Sequence, residues 1–206
     1  MKTIMKMKRS MILLVVILAV FTQCKKDEEV VPDENLTPTF TTVTTELDVH
    51  NDLATWRYYS FEKQMLISVS NFGDTLGWDL GIHYENFRTN GGASGTGQGA
   101  VIDLGAVDFD GVSLSSIGSN SFTADDSITV IASTSMPPQM AKTPGCVLME
   151  DMFESPAGPP PHTYTPNNHV YIIRTADGRH VKLLGTSFFN TLGEEGYFNF
   201  KFAFLD

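Results

Sequence analysis

Cysteine is nearly absent from this chain: Cys24 and Cys146 are the only two in 206 residues. A disulfide framework therefore cannot carry the fold, and stability must come from a packed core. Basic residues are also scarce, 14 against 24 acidic ones, for a formal charge of -10. That balance argues against nucleic acid or an anionic membrane surface as a partner. Motifs with a built-in mechanism are missing too. There is no G-x-x-x-x-G-K-[ST] loop for phosphates, no G-x-S-x-G nucleophile elbow and no His-Glu-x-x-His zinc pair. No apolar run reaches the roughly 18 residues of a membrane-spanning helix.

The longest apolar run, "MILLVVILAVF" (11–21), follows Lys2, Lys6, Lys8 and Arg9 and ends just before "TQCKKDEE". A basic start, a short apolar stretch and a cysteine at its edge describe a bacterial lipoprotein signal, cut before Cys24 and acylated on its thiol. Gln23 departs from the small residue usual before the cut. The expected organisation is a signal peptide over 1–23, a lipidated Cys24 with a flexible tether over 24–40, and one domain over 41–206. "KKDEE" after the cysteine is similar to the charged signal that sends Bacteroidetes lipoproteins to the cell surface, although a merely solvated linker has the same composition. Cleavage removes four of the 14 basic side chains and no acidic ones, so the formal charge moves from -10 to -14. Cys146 is then the one free thiol. The expected location is the outer membrane, lipid-anchored and facing outward, with the anchor as the sole membrane contact.

Beyond the tether the chain reads as β. In "YFNFKFAFL" Phe198, Phe200, Phe202 and Phe204 alternate with Tyr197, Asn199, Lys201 and Ala203, the period of a half-buried strand. Before it, two β-rich runs flank Asp177-Gly178, a tight-turn signal. "GEEG" (193–196) makes the next reversal. The expectation is an all-β, mostly antiparallel fold, two-layered or a partly closed sheet, ending in a three-stranded meander. Strands are expected near 78–88, 127–134, 169–175, 180–188 and 196–205, with no helix of more than about three turns after residue 53.

Two segments stand apart. Glycines crowd 91–99, and "GTGQGA" (95–100) formally matches G-x-G-x-x-A. The stretch after it, "VIDLGAVDFDGV", has no helical stripe to offer a pyrophosphate, so backbone geometry and not a nucleotide accounts for the glycines. The other segment, 135–168, holds most of the prolines and four of the five methionines outside the signal: Met136, Met140, Met149 and Met152. It reads as a long loop, with "CVLMEDMF" as a short strand inside it; a loop of that length is usually functional or disordered. On composition alone, methionines of this kind are flexible core filling.

"WDLGIHYENFRTNGG" followed by "SGTGQGA", and the closing "VYIIRTADGRHVKLLGTSFFN…GEEGYFNFKFAFL", resemble the HmuY family of haem-binding lipoproteins of Bacteroidetes. The resemblance spans 41–206. It implies an all-β fold, surface anchoring, and haem capture without catalysis for delivery to a TonB-dependent outer-membrane receptor. It also implies axial ligands from two places, one after the middle strand and one before "VYIIRT", with pairs of His or of Met in different members. Met136 and His162 occupy those neighbourhoods, with Met140 a further candidate and Met149 and Cys146 in reserve. Iron enters only through haem. Phe153, Tyr164 and Tyr171 are candidates to line the slot, and Lys142 and Arg174 to meet propionates.

The remaining histidines have plainer readings. His50 sits near a turn, His83 in a strand beside aromatics, and His169 and His180 at opposite ends of the Asp177-Gly178 hairpin. No histidine lies between His83 and His162, so a two-His site at the expected places is excluded. Carboxylate pairs such as Asp125-Asp126 and Glu194-Glu195 fall in turn-like sequence and read as solvated. Paired glycosidase carboxylates leave no short motif, so an enzyme stays a third reading. The second is a surface binding module of the same fold for another ligand, a corrinoid or glycan, or for a protein partner.

Overall fold

The computed structural model describes residues 41–155 and 162–206. The expected signal, Cys24, the tether and Pro159 to Pro161 lie outside these residues. Strict alternation at the C-terminus builds the main sheet. β13 (Glu195–Phe204) buries Phe198, Phe200 and Phe202 on one face and leaves Tyr197, Asn199 and Lys201 half-buried on the other. It lies between β1 (Val43–Asp48) and β12 (His180–Phe189); β12 pairs with β11 (Val170–Arg174), and β11 with β6 (Ala100–Asp103), every pairing antiparallel. The expected meander is thus β11–β12–β13. Its first turn uses Gly178 at φ +93°, a conformation that favours glycine.

A second antiparallel sheet runs in the order β3 (Met65–Ile67), β2 (Arg57–Ser60), β4 (Leu80–His83), β5 (Asn86–Thr89). Tyr59, Leu80, Ile82 and Phe87 share one core cluster with the β13 phenylalanines. Ring centroids lie 5.5 Å apart for Tyr59–Phe200 and 5.0 Å for Phe87–Phe198. Each fully buried ring contributes about 2 kcal/mol of transfer free energy, so this interlayer contact dominates the core. The chain is all-β with two packed antiparallel layers, as its pattern predicts. The outer face of the main sheet is covered by the segment after β6. Phe109 and Val112 pack over Ile102, Ile172 and Ala203. Buried Lys182 donates to the Phe109 and Val112 carbonyls at 2.8 and 3.0 Å, holding that segment down.

Three sequence expectations need correction. The single strand expected near 78–88 is the hairpin β4–β5, turning at Tyr84 (φ +55°) and Glu85. The residues on both sides of the turn are buried or half-buried, and it has no Gly or Pro, so only the short polar pair Glu85-Asn86 marks it. The long loop expected over 135–168 contains β8 (Gln139–Gly145), paired with β7 (Asp126–Ser133). Most of β8 is exposed; a strand with neither face in a core carries no alternation to read. "CVLMEDMF" is a 3-10 turn over Val147–Met149 followed by β9 (Phe153–Glu154), which pairs with β10 (Thr165–Pro166). The helical segments among the described residues are all short 3-10 turns.

The glycine-rich stretch wraps around one residue, Asn90. Asn90 is fully buried, and its Nδ2 donates to the carbonyls of Thr75 and Trp78 at 2.8 and 2.9 Å. Its Oδ1 accepts from Gly97 N, and its main-chain carbonyl accepts from Gly99 N at 2.8 Å. A methyl group on Gly99 would sit 2.5 Å from the Asn90 carbonyl carbon, and one on Gly95 would collide with Asn90 Oδ1. The glycines therefore permit close backbone approach, not phosphate binding. Asn90→Ala should lose about 2–4 kcal/mol of unfolding free energy, because it strands buried carbonyls and an N–H. Urea denaturation checks this; a loss below about 1 kcal/mol would mean that water replaces the amide.

Candidate functional site

The β7–β8 hairpin forms a two-stranded sheet of its own, buries Ile128 and Val130, and is held at its base. Asp125, buried just before β7, accepts from Thr89 N and Thr89 Oγ1, both at 2.8 Å. At the same base, where Gly145 pairs with Asp126, Cys146 N donates to the Phe87 carbonyl at 2.8 Å. Arg88 Nη2 donates to Thr143 Oγ1 at 3.0 Å, while the guanidinium lies 3.4 Å from the Trp56 ring centroid and 4.4 Å from that of Phe72. All three ties run to β5, so the hairpin and the β4–β5 turn are positioned together.

Two cavities flank that turn. The smaller, about 260 Å³, is walled by Leu53, His83, Tyr84, Glu85 and Asn86 on one side and by Thr129, Ile131, Pro138 and Met140 from the hairpin on the other. The larger, about 560 Å³, is walled by Glu85, Glu150, Asp151, Phe153, Glu154, Ser155, Thr163 and Thr165. Glu85 belongs to both. An aromatic group lies beside it: Tyr84 and Tyr164 pack on Phe188 at 4.9 and 4.6 Å between centroids, and Phe153 lies 5.3 Å from the same ring. Burial raises the Tyr84 and Tyr164 phenol pKa values, so both are neutral hydrogen-bonding groups. Burial also raises the Glu85 carboxyl, with nearby His162 opposing and Glu195 adding to the shift.

The family model for HmuY protein matches residues 52–202. The chain belongs to the HmuY family. Among solved structures, apo PinO from Porphyromonas gingivitis aligns over 82% of this chain and 99% of its own, with a TM-score of 0.64 and 15% identity. A putative HmuY_like heme binding protein from Bacteroides vulgatus aligns over 80% of this chain and 92% of its own, with a TM-score of 0.62 and 19% identity. The apo HmuY analog of Tannerella forsythia aligns over 84% of this chain and all of its own, with a TM-score of 0.59 and 16% identity. At these identities the likeness is one of fold. A search of curated proteins returns no match.

The structure divides the methionine group. Met149 and Met152 are buried in the core, and so is Cys146, whose thiol burial pushes up to about 12. They fill space as soft apolar side chains. Met136 is 91% exposed in the β7–β8 connection, and Met140 is 57% exposed on the smaller cavity's wall. His162 lies 3.6 Å from the Glu195 carboxylate and 6.1 Å from the Tyr164 ring. Of these HmuY-type ligand candidates, Met140 alone lines either described cavity.

The other expected lining residues separate as well. Phe153 is on the larger cavity's wall and Tyr164 is in the adjoining aromatic group, but Tyr171 is fully buried in the core, with its hydroxyl accepting from Asn167. Arg174 donates to the Gln98 carbonyl and stacks over Phe122. Lys142 shares a hairpin face with Met140 by register. His169 and His180 each pair with a different carboxylate, Asp103 and Asp206, as their separation along the hairpin implies.

Glu85 is the residue that sequence reading passes over, and His83, read there as structural, stands beside it on the smaller cavity's wall. His83 is 2% exposed, and its ring lies 5.1 Å from Trp56. Burial, reinforced by Arg88, lowers its pKa, against opposing pulls from its own backbone and Asp52. The unfolded chain then takes up a proton below about pH 6.5 while the folded chain does not, so this histidine makes stability fall as pH drops from about 6.5 towards its folded pKa. The raised carboxyl pKa values of Asp79, Asp125 and Glu85 act in the opposite sense, and the same way in any variant that leaves them in place. His83→Gln should therefore lose less stability than wild type between pH 7.5 and 5.5. Urea midpoints at the two pH values measure it, and equal losses would show that burial does not depress His83.

Proposed function

We propose that this HmuY-family chain is a non-catalytic, surface-displayed lipoprotein that captures haem in the cleft between the β7–β8 hairpin and the β4–β5 turn and passes it to a TonB-dependent outer-membrane receptor. Family membership gives the haem-binding type. The observation that carries the location is Met140, a soft thioether on a cavity wall beside aromatic side chains. Met140 or Met136 supplies one axial ligand from the hairpin, and His162 the other. A neutral thioether favours reduced iron, whereas imidazole serves both states. Haemin should therefore give a Soret shift that strengthens on reduction with dithionite. Met140→Ala should weaken ferrous binding by about tenfold or more, equivalent to 1.4 kcal/mol, and His162→Ala should weaken binding in both states. Unchanged titrations in Met136→Ala, Met140→Ala and His162→Ala would move the site elsewhere. No Soret shift in wild type under either condition would reject haem.

The acidic lining of the larger cavity supports a second reading, a binding module for an uncharged macrocycle such as a corrinoid. In both readings Cys24 carries the lipid that holds the domain at the outer membrane. Metabolic labelling with a fatty-acid probe should mark wild type and not Cys24→Ala. Equal labelling of the two would refute the anchor.

A further inference from the structure

Charge around the cleft is one-sided. Glu85, Glu150, Asp151 and Glu154 wall the larger cavity, and Glu195 stands beside His162. Among the described residues neither cavity has a Lys or Arg on its wall. Glu85 holds the central position, since it walls both cavities. Its place is fixed by the hairpin pairing of His83 with Asn86 and by the positive φ of Tyr84. Lys142 is on the opposite side, on the hairpin face it shares with Met140.

A separate feature marks the same cleft as a place for a ligand. His83, on the wall with Met140, is 2% exposed, and its Nδ1 has no hydrogen-bond partner among the described residues. Buried polar atoms in native proteins are nearly always paired, so an unpaired one needs a partner from outside the chain or another explanation.

We propose that Glu85 is a specificity-determining residue of this cleft: it excludes carboxylates from the Glu150–Asp151–Glu154 end, so that a tetrapyrrole enters with its uncharged edge inward and any carboxylates outward, on the Lys142 side. This rests on the haem-type reading of the site. The physical ground is that a propionate brought beside Glu85 loses water and meets a like charge with no cation on the wall, and both effects oppose binding. A rim that is esterified, amidated or purely hydrocarbon meets neither obstacle. The favoured ligands are thus haem in one orientation, or a tetrapyrrole without free carboxylates.

The test compares haemin with haemin dimethyl ester, each titrated into wild type, Glu85→Gln and Lys142→Gln. Wild type should bind the ester at least as tightly as haemin. Glu85→Gln should tighten haemin binding by about tenfold and leave the ester unchanged, and Lys142→Gln should weaken haemin alone. Glu154→Gln, on the same wall, repeats the comparison with a smaller effect in the same direction and serves if Glu85→Gln does not fold. Equal shifts for the two porphyrins, or none in any variant, would overturn the assignment to Glu85 while leaving haem binding standing. Failure of both porphyrins to bind wild type would remove the haem reading and this proposal with it.

Discussion

The chain passes from one sheet to the other around the buried amide of Asn90. It follows β5, in the sheet that carries the cleft, and the stretch wrapped around it leads into β6, at the edge of the main sheet. Its side chain closes the Thr75–Trp78 segment onto the end of β5, and its main chain holds the 97–99 turn. The next amide along, Gln98 N, donates to the Ala176 carbonyl in the first meander turn. Asp79, one residue past Trp78, accepts from Phe61 N and Ala176 N. One buried amide and one buried carboxylate thus pin four chain segments together, around Phe61, Thr75–Asp79, Asn90–Gly99 and Ala176. Nonpolar packing supplies most of the stabilisation, but it is non-directional. These hydrogen bonds fix where the β4–β5 end sits.

From that fixed point the cleft is assembled outward. The ties from β5 to the hairpin run through Asp125, Arg88 and Cys146 N, each buried or partly buried. Burial raises the Asp125 carboxyl, with hydrogen bonds and Arg88 opposing, and lowers the Arg88 guanidinium to about 10, well above neutrality. Arg88 therefore stays charged inside its aromatic sandwich, where the ring faces favour a cation. The outer part of the hairpin can expose Met140 and Met136 because its base is tied to β5.

Sequence legibility follows the same division. The meander was readable because its alternating phenylalanines face one core and polar residues face away. The glycines were readable as backbone devices, because no helix follows them, but their common partner was not: nothing local says that Gly95, Gly97 and Gly99 all approach one residue, Asn90. The methionine group was legible as a cluster and illegible as to role. Met149 and Met152 lie in a 3-10 turn and its continuation under the core, whereas Met136 and Met140 belong to a hairpin whose strand has no alternation. His83 read as structural because its neighbours are aromatic, and it is buried as expected. Its place beside Met140 depends on a contact between residues far apart in the chain, which periodicity does not carry.

Leu53 apart, the residues that wall the two cavities come from the β4–β5 turn and the strand ends beside it, the β7–β8 hairpin and the segment around β9 and β10, while the rest of the two sheets supplies the frame. Such a division lets the family keep one fold while the chemistry of its cleft changes, because substitutions at Glu85, Met140 or Glu154 touch neither Asn90 nor the interlayer phenylalanines. Here that freedom has produced an acidic wall on a chain with 24 acidic and 14 basic residues. A cleft for a dianionic porphyrin would ordinarily offer cations; among the described residues neither cavity wall has one, and Lys142 stands on the exposed hairpin. The sign of the wall, more than the identity of any single axial ligand, is therefore what separates haem held by one edge from a ligand with no free carboxylates.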